Sequence, residues 1–442
     1  MNGQLDRHHR RSLTMLSLVL AGEAVFVPPF HPGRYFKSSL LSTFSIDEFQ
    51  LGQLGAVYGV VAMACYFLGG PLADRFSSRK LIPASLLATG LGSLYMSTIP
   101  GFTGLYVLFG FWGASTIFAF WAPLIRATRE WGGREQQGRA FGILDGGRGL
   151  AAALLAAVAA YAFGLMVGGS ALIDPARETF AMRALVCSYA GCCFFAALCV
   201  WFFVPDATPV ASRAVDGETT DQVGVLRRVM IVLRSPAVWL QAVVIIAAYS
   251  TFKMFDYYGL YSEDAYGLTR TDSAKVTAYL SFLRVVGALA AGWIADRFLG
   301  VSSSVQLCFG LLIAAYAVFI FVPPGPDLVW LMIANMVVSC AAFFGLRGIY
   351  FALLQESGTP RALTGTAVGV ICFVGFTPEI FMPLVTGWLI REARASGNVL
   401  IGYDRMFWIL IVLSLFGFLA AVALRWFRPQ ENSSTKPADG TV

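Results

Sequence analysis

The sequence predicts an all-α membrane protein, with twelve transmembrane helices in two pseudo-symmetric six-helix halves. Three observations carry this. Hydrophobic residues are 57% of the 442 and charged residues only 13%, about half the roughly 25% of a soluble protein, so lipid has to cover the apolar surface. The apolar residues come in runs of about one bilayer thickness, separated by short charged or Pro/Gly-bearing turns. Finally, Gly69-Gly70-Pro71-Leu72-Ala73-Asp74-Arg75-Phe76 returns as Ala291-Gly292-Trp293-Ile294-Ala295-Asp296-Arg297-Phe298, the two aspartates 222 residues apart, half the chain. A repeat of that size in an apolar chain marks two homologous halves.

The elements follow in order. A basic tail with Arg7, Arg10 and Arg11 leads into span 1, about 13–44, interrupted by Pro28, Pro29 and Pro32. Span 2, about 50–71, ends in a charged turn at Asp74-Arg75. Spans 3 and 4, about 81–99 and 103–125, are joined by Pro100-Gly101 and followed by a basic loop with Arg126, Arg129, Arg134 and Arg139. Spans 5 and 6 are about 140–167 and 182–204. Spans 7 to 12 are about 236–262, 273–295, 302–322, 328–354, 364–390 and 406–426. The halves are residues 1–204 and 235–428; a cytoplasmic linker covers 205–234 and a polar cytoplasmic tail covers 429–442.

Orientation follows from the arginines and lysines. With the N-terminus inside, the inner segments hold nineteen and the outer ones about seven. The chain is therefore expected in the plasma (inner) membrane with both termini cytoplasmic, as a monomer in the lipid bilayer. The net charge of +6 sits in short loops, which topology explains, and nucleic-acid binding has no support. The eight cysteines all lie in apolar runs without metal-ligand spacing and read as small hydrophobes. No metal, cofactor or catalytic residue is expected: the three histidines all precede residue 32, and no nucleophile–base spacing exists. The first apolar run is followed by prolines rather than small residues, so no cleavable signal peptide is expected.

The two repeats align without a gap from Arg34–Phe76 to Asp256–Phe298, placing Tyr35 on Tyr257 and Gly70 on Gly292. Charges inside the spans are the candidate site, because each costs about 2.5–3.5 kcal/mol at mid-bilayer and needs a reason. Nine fall there: Glu23, Arg34, Asp145, Arg148, Lys253, Asp256, Arg284, Arg347 and Glu379. Arg34 lies about ten residues, roughly 15 Å, from the polar turn at Ser45, beyond snorkelling reach, and the neighbouring turns of span 1 hold no acid. Lys253 aligns near it, so spans 1 and 7 each bring a cation toward the pseudo-twofold axis. Arg148 lies in Gly146-Gly147-Arg148-Gly149, where glycine admits close approach. Glu379 follows Pro378, where a proline opens the helix. Arg34, Arg148, Lys253, Tyr257, Tyr258 and Glu379 are thus the candidate substrate contacts, and Glu379 or Asp145 the candidate coupling acid. Paired structural ions are the alternative: Asp145–Arg148 and Lys253–Asp256 have helical spacing. Asp74, Arg75, Asp296 and Arg297, in the repeated inner turn, are candidate gating residues.

Gly70-Pro71-Leu72-Ala73-Asp74-Arg75 with the basic pair Arg79-Lys80 resembles the loop between spans 2 and 3 of the major facilitator superfamily, with Ser77 and Ser78 where that family has a second glycine. Arg34-Tyr35-Phe36-Lys37-Ser38-Ser39-Leu40 and the run from Trp121 and Pro123 through Trp131 to Gly142 resemble its organophosphate:phosphate antiporters and their anion:cation symporter relatives. In this register Arg148 stands at those antiporters' span-5 binding histidine and Lys253 near their span-7 arginine. The resemblance implies the major facilitator fold and secondary transport by alternating access. Its expected substrate is a small organic anion (a carboxylate, sugar acid or sugar phosphate), moved with a coupling proton or against a counter-anion. Transport of a zwitterion such as an amino acid or peptide, and a transporter-like sensor that moves nothing, are the rival readings.

Overall fold

The structure, a computed structural model, describes residues 2–132, 137–168, 174–206, 227, 230–353 and 364–425. Among these, nine segments are long and apolar enough to cross a bilayer, and Arg10–Ala24 with Val27–Tyr35 makes a tenth, bent by 57°. Helices Ser78–Ser97 and Phe102–Ser115 complete twelve. Helix Ser78–Ser97 is less apolar because it carries a hydroxyl stripe: Ser85, Thr89 and Ser93 lie four residues apart on one buried face. Their hydroxyls are satisfied by the Ser115 carbonyl (2.5 Å), the Ser115 hydroxyl (2.8 Å) and the Val186 carbonyl (2.7 Å), so spans 4 and 6 take up polarity that lipid would not tolerate.

Several boundaries move for local reasons. The motif at Asp74-Arg75 is not a turn: span 2 runs as one helix, Glu48–Arg75, and the chain turns at Phe76-Ser77. Span 4 breaks after Ser115 and resumes as Trp121–Gly132, so Arg126 and Arg129 lie on a helix. Span 6 starts at Pro175, earlier than expected, because Asp174 caps it by accepting from the Ala176 N–H at 3.0 Å and Pro175 fits the first helical position.

The repeat is written into the backbone at the 222-residue offset. Span 1 ends on Ser45 in the left-handed region (φ 51°), and span 7 ends on its equivalent Gly267 (φ 70°). Asp47 caps the next helix on one side and Thr269, its equivalent, on the other. Both spans are also broken at matching places: span 1 between Val27–Tyr35 and Lys37–Phe44, span 7 by a 3-10 turn at Met254–Tyr257. Span 11 is broken too, between Thr364–Gly375 and Pro378–Ala395.

The halves meet along spans 2 and 11, 5 and 8, and 1 and 7. Between spans 2 and 11 the backbones touch: a Cβ on Gly52 would lie 2.3 Å from the Pro383 carbonyl oxygen, and one on Gly387 2.3 Å from that of Glu48. Only glycine permits this approach. It lies at the end of the bundle opposite the linker, called the loop face below.

Candidate functional site

At mid-depth four ionic side chains form one chain. The Arg34 Nε lies 2.5 Å from the Asp256 carboxylate, whose other oxygen is 2.8 Å from Lys253 Nζ. Lys253 reaches Glu379 at 3.3 Å, and the Tyr249 hydroxyl donates to the second Glu379 oxygen at 2.6 Å. Two cations and two acids cancel. The breaks in spans 1, 7 and 11 fall at this chain and bring its members together: Asp256 sits on the 3-10 turn and Glu379 in the first turn after the span-11 break. Arg34 also lies over the rings of Phe252 and Phe255 at 5.4 and 5.5 Å.

Two further cations lie beside this chain with no acid within salt-bridge distance among the described residues. Lys37, 6% exposed, holds its Nζ 3.1 Å from the centre of the Tyr257 ring. Arg347, on span 10, stacks over Phe252 (4.1 Å) and Tyr249 (5.5 Å), and its buried Nη1 has no hydrogen-bond partner. Cation–π contact offsets only part of the cost of such a buried charge. Lys37, Lys253, Asp256, Tyr257 and Glu379 line one cleft with about 60 Å³ of free space, bounded by Phe30, Tyr58 and Pro383, room for a few waters.

A second node lies nearer the linker face. Glu23, buried, stands 3.9 Å from Arg148, 3.8 Å from Arg284 and 3.9 Å from His31. Asp145 stands 3.9 Å from Arg148 and 3.6 Å from Arg284. The Arg148 stem crosses Gly22, where a Cβ would meet it at 2.8 Å, and its Nε donates to the Gly22 carbonyl at 2.9 Å. Asp145 was expected inside span 5; its side chain is 75% exposed, because it lies only about two turns from the start of helix Gln137–Val167.

The loop face is closed by polar bridges between the halves. Arg394 pairs across the halves with Glu48 at 2.8 Å and, within its own half, with Asp264 at 2.9 Å, which also accepts from the Tyr403 hydroxyl at 2.8 Å; Arg391 lies 3.6 Å across from Asp47. Arg270 pairs with Glu178, which also accepts from Ser42, and Ser38 donates to Glu263. Arg75, Asp296 and Arg297 are exposed; the Asp74 side chain lies outside the described residues.

The family model described as Major Facilitator Superfamily matches residues 12–378. The chain belongs to the Major Facilitator Superfamily. It is a multi-pass integral membrane protein and not an enzyme. Among curated relatives it is 23% identical over 387 residues to the inner membrane protein YqcE of Escherichia coli, covering 86% of this chain and 88% of that one. It is 24% identical over 325 residues to the probable nitrate/nitrite transporter NarK2 of Mycobacterium tuberculosis, covering 72% and 74%. Among solved structures, a bacterial homologue of the human lysosomal transporter Spinster, inward-facing and unoccupied, superposes with a TM-score of 0.71 at 15% identity over 96% of this chain and 99% of that chain. At that identity the likeness concerns the superfamily fold.

Within this fold, the sequence-derived candidates divide. Arg34, Lys253 and Glu379 meet in one chain, Tyr257 lines the cleft beside them, and Arg148 with Asp145 belongs to the second node. Tyr258 turns away: it is fully buried, its hydroxyl shares a hydrogen bond with Ser339 (2.5 Å), and its ring packs on Phe255 and Phe319. Arg34 does have a fixed acid, from span 7 rather than its own turns. Sequence reasoning passed over Lys37, three residues from Arg34 and so on a neighbouring face of the helix. Its pairing with Tyr257 needed two spans to be brought together.

Proposed function

We propose that this superfamily member is a secondary transporter of a small organic anion, held between the halves beside the Arg34–Glu379 chain and released by alternating access. The observation that supports this is a charge surplus. Among the described residues the central region holds six cations (Arg34, Lys37, Arg148, Lys253, Arg284, Arg347) and four acids (Glu23, Asp145, Asp256, Glu379). Two positive charges are left over, and Lys37 and Arg347 are the two with no acid at salt-bridge distance among the described residues. An anion entering there would cancel a charge that is otherwise costly at this depth. Arginine would grip a carboxylate or phosphate through two hydrogen bonds, lysine as a point charge. The name of the Mycobacterium relative, probable nitrate/nitrite transporter NarK2, agrees with an anion.

In this reading Glu379 carries the coupling proton, the two six-helix halves move as units about the 205–234 linker, and both termini are cytoplasmic, so the closed loop face is external. Asp74, Arg75, Asp296 and Arg297 would come together when the opposite face closes. Counterflow in proteoliposomes, with a panel of carboxylates, sugar acids, sugar phosphates, nitrate, neutral sugars, nucleosides and dipeptides, tests it. Hits confined to anions support the proposal. A hit from the neutral or dipeptide class with none among the anions overturns it.

A further inference from the structure

Arg34 and Asp256 are 222 residues apart, the offset that relates the two repeats. They therefore occupy equivalent positions in the two halves. Two positions related by a twofold axis touch only if both lie beside that axis, and these two touch at 2.5 Å. Their depth is also fixed. Each lies about ten residues, roughly 15 Å along the helix, from the left-handed residue that ends its span. The pair thus sits where the pseudo-twofold axis crosses mid-depth.

We infer that Arg34–Asp256 is the fulcrum on which the halves rock: a positioning pair that keeps spans 1 and 7 in contact in both open states, rather than a substrate contact. This rests on the alternating-access reading but not on the identity or charge of the cargo. In a rotation about the centre, displacement grows with distance from it. A pair within about 3 Å of the centre moves roughly one-fifth as far as the loop-face bridges about 15 Å away. Those bridges have to break on each cycle, whereas the central pair does not. The surroundings agree. Both helices are broken beside the pair at matching positions, Phe36 and the Met254–Tyr257 turn, so each helix can bend there without straining a continuous ladder. The pair is neutral as a unit, and Lys253, which shares Asp256, is balanced in turn by Glu379. Tyr35 adds a second cross-half bond at the same level, its hydroxyl 2.7 Å from that of Ser281.

The test needs no ligand. Spin labels at Arg177→Cys and Ala395→Cys, on the loop face of opposite halves, report its opening in the full-length protein with native cysteines replaced. First, a short bifunctional thiol reagent joins Arg34→Cys to Asp256→Cys, and in a parallel protein Glu48→Cys to Arg394→Cys. The central tether is expected to leave both the open and the closed distance populations, and the loop-face tether only the closed one. A central tether that removes either population overturns the inference. Second, Arg34→Asp and Asp256→Arg are made singly and together. Each single change is expected to shift the ratio of the two populations by at least fivefold. The exchange should bring it closer to the parent than either single change does, because it restores one cation and one acid at the axis, although Lys253 then faces a cation where it had Asp256. An exchange protein that is monodisperse yet no closer to the parent than the single variants overturns it. If the exchange protein is not monodisperse, the tether result alone decides. Loss of anion counterflow in the parent would sink the proposed substrate class and leave these distances untouched.

Discussion

Alanine at Gly52 would drive the loop face open. The new Cβ would lie 2.3 Å from the Pro383 carbonyl oxygen and 3.3 Å from the Leu384 Cα. Both obstacles are backbone, so no side chain can swing aside, and span 2 has to withdraw from span 11 by about 1 Å to reach ordinary contact. Overpacking of this kind costs about 1–3 kcal/mol. The cost falls only on the state in which spans 2 and 11 touch here, so the closed-to-open ratio should fall by about 5- to 150-fold. Spin-label distances between Arg177→Cys and Ala395→Cys read it directly, with Gly191→Ala, whose Cβ would meet nothing within 4 Å, as the control. An unchanged distance distribution in monodisperse Gly52→Ala protein would refute the reasoning, because spans 2 and 11 would then separate elsewhere or not at all.

Lys37→Ala and Arg347→Ala should each weaken anion binding by about 2–5 kcal/mol, the loss of one desolvated charge-assisted contact; calorimetry with the best counterflow anion checks this, and a change under threefold for both removes the surplus-charge argument. Glu379→Gln should abolish the pH dependence of net uptake while keeping exchange, measured in proteoliposomes with and without a pH gradient; an unchanged pH profile moves the proton elsewhere. Cysteines placed in 168–180 or 391–404 should be labelled from outside sealed cells and those in 205–230 should not, and the reverse pattern would invert the orientation.

The repeat was legible because it is carried by a contiguous motif and by residue-by-residue register, and the structure repeats it in Ser45 and Gly267 and in Asp47 and Thr269. The crossings were legible because lipid demands long apolar runs. Helix Ser78–Ser97 was found by its length and turns even though its hydroxyl stripe dilutes it. The motif at Asp74-Arg75 was misplaced by one turn, since a charged helix end and a charged loop look alike when water can reach either. Within one helix, charge pairing was readable: Lys253 and Asp256, three apart, do pair. Between helices it was not. Arg34 seemed free of acids because its partner is 222 residues away, yet the register that aligned Arg34 with Asp256 already held the answer. Residues matched by a twofold and drawn to its axis face each other.

Under the proposed function, the charge balance also sets the expected sign of coupling. Glu379 accepts from Lys253 and Tyr249, and its carboxylate lines the same cleft as Lys37, one of the two cations that an anionic substrate would use. A bound anion and an ionised Glu379 therefore repel, while a bound anion and a protonated Glu379 do not. Each ligand, proton and anion, favours the other by the same factor, because binding free energies are reciprocal. At an effective dielectric constant near 20, two charges about 5 Å apart interact by roughly 3 kcal/mol, enough to link the two binding events by about a hundredfold. Under the proposed function, symport of anion with proton is the expected mode, with exchange of one anion for another as the residual mode when Glu379 cannot release its proton. The measurement is anion affinity against pH in wild type and Glu379→Gln. Wild-type affinity should rise as pH falls, and the variant should be flat and tight. Wild-type affinity that is independent of pH would break the link and leave simple anion exchange as the proposed mode.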